Sequence, residues 1–296
     1  MKLQFKIYND FMKKFKIIII LIFALVTLAI YFKRGHNQPP PTPPASRQEI
    51  DITIIEGWNL RQIATDWEKR GLIKNENELY AILGQPAYNY LANKKVAPRL
   101  NYLDNNGQDS FALLKDKSSG VSYEGYIFPD TYRVYADAKL SEVLQKIFTN
   151  LENKITTEMR AEIKRQGKTV YEVLTMASVV EKEANTLTDM QMVADIFWRR
   201  EKQDWALQSC ATVNYITGKN DPAVSAEDQQ VDSLYNTYKY PGLPLGPIGN
   251  PGLNAIKAVI YPKTNNYWYF MTGADGKMYY ASTLEEHNSN VYKYLR

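Results

Sequence analysis

The sequence predicts an α+β protein with three parts. These are an N-terminal transmembrane helix, a small module of one strand and two helices, and a mainly helical domain ending in a small β-hairpin. Three observations predict it. An unbroken apolar run begins at Ile17 and ends at Phe32. Apolar residues recur at intervals of three and four through several stretches after residue 140. Strand-like stretches are few and short, at residues 50–54, 267–271 and 278–280.

The apolar run comes first. Its 16 residues span roughly 24 Å as a helix, against about 30 Å of hydrocarbon. Phe15 and the snorkelling side chains of Lys16, Lys33 and Arg34 make up the difference. Lys2, Lys6, Lys13, Lys14 and Lys16 precede the run and only Lys33 and Arg34 follow at once. That excess places residues 1–16 in the cytoplasm and everything after the helix outside. No small-x-small cleavage pattern follows, so an uncleaved anchor is preferred to a signal peptide or a buried soluble helix. Residues 33–48 carry Pro39-Pro-Pro-Thr-Pro-Pro44, an extended spacer that holds the folded part off the membrane.

Composition narrows what the rest does. Residues 1–34 hold seven of the 36 Lys and Arg and one of the 32 acids, which leaves the remainder at a net −2. A nucleic-acid partner is therefore not expected. The single cysteine, Cys210, forms no internal disulfide. Only His36 and His287 are present, too few for a histidine-based metal site or a Ser-His triad. No metal or cofactor is expected.

Ile50, Ile52 and Ile54 alternate with polar residues as a strand. Leu60, Ile63, Ala64 and Trp67 have helical spacing, ended by Gly71, and residues 77–83 form a second short helix. Residues 85–120 read as short helices and loops. Residues 123–132 hold four aromatics, a Gly and a Pro, a packed turn that offers Glu124 and Asp130. Residues 140–165 read as one amphipathic helix. Residues 190–202 form another, with Arg199, Arg200 and Lys202 in its last turn. Residues 207–215 are a loop into a short helix. Residues 235–252 hold four Pro and four Gly and are loop. A helix over 254–260, a hairpin turned by Asp275-Gly276, and a last helix capped by Ser282 with Glu285 complete the chain.

The chemistry concentrates in the helix that follows Gly167. Val170, Val173, Leu174, Ala177, Val180 and Ala184 make one apolar stripe. Two carboxylates end it, and residues two apart lie about 200° round the axis, so Glu181 and Glu183 point different ways. Glu181 falls on the stripe. Glu183 falls at its flank, beside Met176 and Val179. A desolvated carboxyl there is a general acid near neutral pH, and a solvated one is inert. The periodicity leaves both acids open and slightly favours Glu181.

Six segments then coincide with a known pattern. They are Glu124-Gly-Tyr-Ile-Phe-Pro-Asp-Thr-Tyr132, Met176-Ala-Ser-Val-Val-Glu-Lys-Glu183, Leu207-Gln-Ser209 with Thr212-Val213, Tyr235-Asn-Thr-Tyr238, Gly242-Leu-Pro-Leu-Gly-Pro-Ile-Gly-Asn-Pro-Gly252, and Glu286-His-Asn288. In order and spacing the chain resembles the endolytic murein transglycosylases, the MltG or YceG-like family. The stretch Ile55-Glu-Gly-Trp-Asn-Leu60 resembles that family's LysM-like module. The resemblance implies a LysM-like module over residues 49–120, shorter than the family's usual one. It implies a lysozyme-like catalytic domain over 121–296. One departure stands out: Cys210-Ala211 follows Leu-Gln-Ser, where the family has Asp-Pro.

The resemblance further implies a lytic transglycosylase in the bacterial cytoplasmic membrane. It would cut the β-1,4 bond from N-acetylmuramic acid to N-acetylglucosamine in peptidoglycan glycan strands, leave a 1,6-anhydro end and limit strand length. It places the catalytic acid at Glu183, with Glu181 as a rival or second carboxylate. The amides and rings of Gln208, Tyr235, Asn236, Tyr238 and Asn250 are the expected sugar contacts. Glu124 either orients substrate or ties down its own turn. Lipid around the anchor and the wall-synthesis enzymes are the implied partners. A tethered wall-binding scaffold and a hydrolytic muramidase are the alternative functions.

Overall fold

The computed structural model describes residues 2–35, 47–100, 111–221 and 223–295. The proline run at 39–44 lies outside them. The chain divides into two compact units, Met1–Gln48 and Glu49–Arg296.

The first unit contains helix α1, Lys2–Gly35. Its segment Phe5–Lys33 is long and apolar enough to cross a membrane. The helix starts well before the apolar run, so residues 2–16 are helical too. Neither Pro nor Gly interrupts residues 2–34. At 1.5 Å per residue, α1 is about 51 Å long.

The second unit opens with strand β1, Glu49–Thr53, which pairs antiparallel with β2, Thr131–Tyr135. Val134 and Tyr132 stand opposite Ile50 and Ile52 on the inward face. Strand β2 corrects the sequence reading, in which the Gly and Pro of the preceding turn masked the short alternation Tyr132-Arg-Val134. Helix α2, Leu60–Lys69, is capped by Asn59 with Gln62 returning the bond, and buries Leu60, Ile63, Ala64 and Trp67. Helix α3, Glu76–Leu83, follows behind the Asn75 cap.

The single helix expected over 140–165 is two, α4 at Leu140–Lys154 and α5 at Thr157–Arg165. Ile155 leaves helical geometry with ψ 86°, and Thr156 starts a new helix by accepting a hydrogen bond from the Met159 amide. Such a cap contributes about 1 kcal/mol. Beyond lie α6, Val170–Glu183; α7, Leu187–Lys202; α8, Cys210–Thr217; and α9, Leu253–Ile260. Helix α6 packs against α5, α7, α8 and α9. Strands β3, Tyr269–Thr272, and β4, Met278–Ala281, form the hairpin. Helix α10, Leu284–Tyr294, is capped by Thr283 and not Ser282. The Thr283 hydroxyl takes the Glu286 amide while the Ser282 amide reaches Glu286 Oε2.

The core is continuous. Ile52 and Trp67 belong to the same buried cluster as Phe148, Val173 and Ile256. The strand pair and this cluster both cross the expected boundary between residues 120 and 121.

Candidate active site

Helix α6 is buried on every side from Val173 to Val180. Thr169 and Glu172 cap its start reciprocally. Its end is abrupt, because Ala184 turns to extended geometry at φ −146°. Glu183 is thus the last helical residue, and its carboxyl emerges where the buried rod meets a cleft. Burial pushes that carboxyl above the ordinary range, opposed by a Ser209 hydrogen bond and by the charge of Arg200. A helix C-terminus disfavours an anion as well. Glu183 is half-buried: packed round with protein yet open on one side.

The loop before α8 carries the group that holds it. Arg200, 5% exposed, donates to Leu207 O at 2.7 Å and to Trp268 O at 3.1 Å, which ties this loop to the hairpin. The Gln208 amide donates to Thr237 O, and the Ser209 amide to Thr237 Oγ1. Thr212 Oγ1 donates to Ser209 O. Gln208 sits at φ +56°, a left-handed conformation that costs a non-glycine residue about 1 kcal/mol or more. That turn aims the two neighbouring side chains oppositely. Gln208 faces solvent, while Ser209 is 2% exposed and donates its hydroxyl to Glu183 Oε1. Among the described residues no hydrogen bond reaches Glu183 Oε2.

The cleft beside Glu183 has a volume of about 550 Å³. The start of α2 supplies Asn59, Arg61 and Gln62 to its wall, and α6 supplies Lys182 and Glu183. Helix α8 and residues 218–221 form the far side. Cys210 lies there, its Sγ 3.0 Å from the Tyr238 hydroxyl.

The expected site residues separate into two groups. Glu183 lines the cleft, and Gln208 and Tyr238 lie beside it on the Ser209 loop and its neighbour. Glu181 leaves the other side of α6. Its Oε2 accepts the Gly252 amide at 2.9 Å, at the start of α9. Burial, together with nearby Glu56, pushes it up to about 7.

Glu124, Asn250, Asn236 and Tyr235 are each 1% exposed or less; this burial goes against sugar contacts by the last three and fits the tying role among the two read for Glu124. Glu124 accepts the Leu60 amide, the first of α2, at 3.0 Å, with Tyr215 OH at 3.0 Å and Asn250 Nδ2 at 3.1 Å. Asn250 also donates to Trp58 O and accepts from the Ile127 amide. Asn236 donates to Gln229 O and Val231 O and accepts from the Tyr238 amide. Tyr235 packs edge-on against Tyr215. All four brace the walls. The sequence reading missed Ser209, Arg61, Lys182 and Arg200 as parts of the site. The helix start at 59–62 was legible, but nothing local says that it meets residues 150 positions away.

Among the described residues no cluster of His, Cys, Asp and Glu is arranged to hold a metal ion. The chemistry this geometry offers is proton transfer by a carboxyl raised by burial, beside a cleft lined with amides and cations.

Comparison with known proteins shows the family. A family model described as the YceG-like family matches residues 37–293. The endolytic murein transglycosylase of Bacillus subtilis strain 168 is 32% identical over 255 residues, covering 86% of this chain and 68% of that protein. The protein of the same name from Streptococcus pneumoniae serotype 2 is 32% identical over 272 residues, which are 89% of this chain. This chain spans about half the length of that relative, at 47%. A crystal structure of a yceG-like protein from Listeria monocytogenes aligns with a TM-score of 0.63 at 30% identity, over 81% of this chain and 74% of that one.

Proposed function

The chain belongs to the YceG-like family, and from that premise we propose that it is a membrane-anchored peptidoglycan transglycosylase whose general acid is Glu183. The single observation that carries the assignment is the Glu183 carboxyl. It is pushed up by burial, held at Oε1 by Ser209 and open to the cleft.

Ser209 donates to Oε1, so the catalytic proton belongs on Oε2. Glu183 passes that proton to the glycosidic oxygen as the bond from the muramic C1 breaks. Positive charge develops at C1. The muramic 6-hydroxyl closes on C1 and gives its proton to Glu183, which restores the acid. The products are a free 4-hydroxyl and a 1,6-anhydro end, with no water consumed. The nucleophile belongs to the same sugar, so its effective concentration is high and no second carboxylate is needed. Gln208 and Tyr238 contact the sugars flanking the bond. The apolar segment Phe5–Lys33 anchors the enzyme, with the basic N-terminus in the cytoplasm and the cleft outside. From there it cuts strands near the membrane and limits their length.

The test is digestion of purified glycan strands followed by mass spectrometry. The expected product is lighter by one water than a reducing end, and Glu183→Gln yields none. A reducing end in its place would point to hydrolysis, for which Asp221 in the same cleft is the available second carboxylate. No cleavage by the wild-type protein would leave a tethered wall-binding domain.

A further inference from the structure

The cleft carries more positive charge than a neutral sugar requires. A strand of N-acetylated sugars whose lactyl carboxyls are all amide-linked has no charge on its sugars, and amides and ring faces suffice to bind it. The cleft supplies such amides in Asn59, Gln62 and Asn214. It also presents Arg61, Lys182 and Lys219. Lys219 is answered by Asp228, with Nζ 2.7 Å from the carboxylate. Arg61 and Lys182 are not: among the described residues neither forms an ion pair.

Both are held in place by other means. Arg61 donates from Nη1 to Tyr215 O at 2.8 Å, and its guanidinium lies 5.2 Å from the centre of the Tyr215 ring. That fixes one edge of the fork and leaves its remaining donors unengaged. Lys182 stretches across Gly57, where an added Cβ would come within 3.2 Å of Nζ. Lys182 is exposed at the cleft; partial burial pushes its ammonium down, opposed by the charges of Glu181 and Glu124. Of the acids whose charge reaches Lys182, Glu181 accepts the Gly252 amide and Glu124 is engaged by Leu60, Tyr215 and Asn250. Two cations that line one cleft with no ion-pair partner set up a positive potential there, which draws an anionic group of the ligand.

We propose that Arg61 and Lys182 form a carboxylate subsite that binds the peptide carried by the muramic residue, so that the protein selects glycan whose peptides are still attached. This rests on the transglycosylase reading above. The peptide hangs from the same sugar whose C1 must lie against Glu183, and Glu183 and Lys182 are adjacent in sequence and share the cleft. A planar guanidinium matches a carboxylate in two parallel hydrogen bonds, and the lysine adds a point charge from the α6 side.

Three substrates test it, presented to the full chain in detergent. They are strands with peptides bearing free carboxylates, the same strands with those carboxylates converted to amides, and strands stripped of peptide by an amidase, with the lactyl carboxylates this frees converted to amides. The expected kcat/KM on the first exceeds that on the other two by about tenfold, the worth of one charge-assisted pair. The double variant Arg61→Gln with Lys182→Gln brings that ratio to about one. Arg61→Lys, which keeps charge but loses the fork, falls between. Equal kcat/KM on all three by the wild-type protein overturns the subsite. Binding of the three strands to Glu183→Gln protein separates the two ideas. If no strand is cut, the transglycosylase reading fails, while tighter binding of the free-carboxylate strands still upholds the subsite and equal binding overturns it.

Discussion

Glu124 and Glu183 are both carboxyls that burial pushes upward, and they do opposite things. Around Glu124 every bond is closed: a helix-start amide, a tyrosine hydroxyl and an asparagine amide converge on it. Around Glu183 the bonding is unfinished. One oxygen is held by Ser209, the other takes no hydrogen bond among the described residues, and the residue lines a cleft. Burial alone therefore does not make a catalytic acid. A raised carboxyl becomes useful only where its hydrogen bonding is left incomplete on the side that substrate reaches.

The strongest way to break this contrast is substitution at Glu183. Glu183→Gln is expected to lower turnover of glycan strands at least about 10³-fold, because the group that both gives and takes the proton is lost. Its melting temperature stays within a few degrees of wild type. Turnover within tenfold of wild type would end the assignment. At Glu124 the reverse is expected. Glu124→Ala leaves three buried donors without an acceptor and costs about 2–4 kcal/mol of stability, read by denaturant unfolding.

The two carboxyls also differ in how pH reaches them. Glu124 is raised from 4.5 to about 7 in the folded protein. The fold therefore binds a proton that the unfolded chain has released. Its contribution is fully present below about pH 4.5 and is lost as pH rises through about 7, worth about 3 kcal/mol. Unfolding free energy should fall over that window in the wild-type protein, and Glu124→Gln should flatten the fall. An unchanged slope in that variant would remove Glu124 as the cause.

Ser209 sharpens the comparison from the other side. Ser209→Ala removes a hydrogen bond that favours the carboxylate form of Glu183. The alkaline limb of the pH–rate profile, set by loss of the Glu183 proton, should move upward, with about a tenfold loss at the optimum, and Ser209→Thr should recover part of each. A lower optimum rate with an unmoved alkaline limb would reduce Ser209 to packing. The smallest effect is expected at Glu181, whose oxygen serves the start of α9. Glu181→Gln keeps an acceptor there and should change turnover by less than about threefold.

These acids also show how far the sequence could be read. The buried helix and its terminal carboxylates were legible in the periodicity of residues 170–184. Which acid meets the cleft was not. Helical phase put Glu181 on the apolar stripe, but the outcome depends on where Gly252 and Ser209 fall, 71 and 26 positions away. Only the motif Glu-Lys-Glu pointed to the second. Tyr235, Asn236 and Asn250 misled for a related reason. Amides and phenols bind sugars and also finish the interior of a long loop, and the letters are the same in both cases. The break at Ile155 was obscured by apolar spacing that runs through it, although Thr156 with Glu158 carried the start signal.

The knot around Glu124 has a consequence for a shortened chain. Gly57 donates to Asn250 O, Asn250 donates back to Trp58 O, and Glu124 holds Leu60, so one wall of the cleft is fastened by residues near positions 57, 124 and 250. A chain clipped by a protease before residue 250 lacks the last part of that fastening. The cleft wall at the start of α2 is therefore complete only in a chain that includes residue 250.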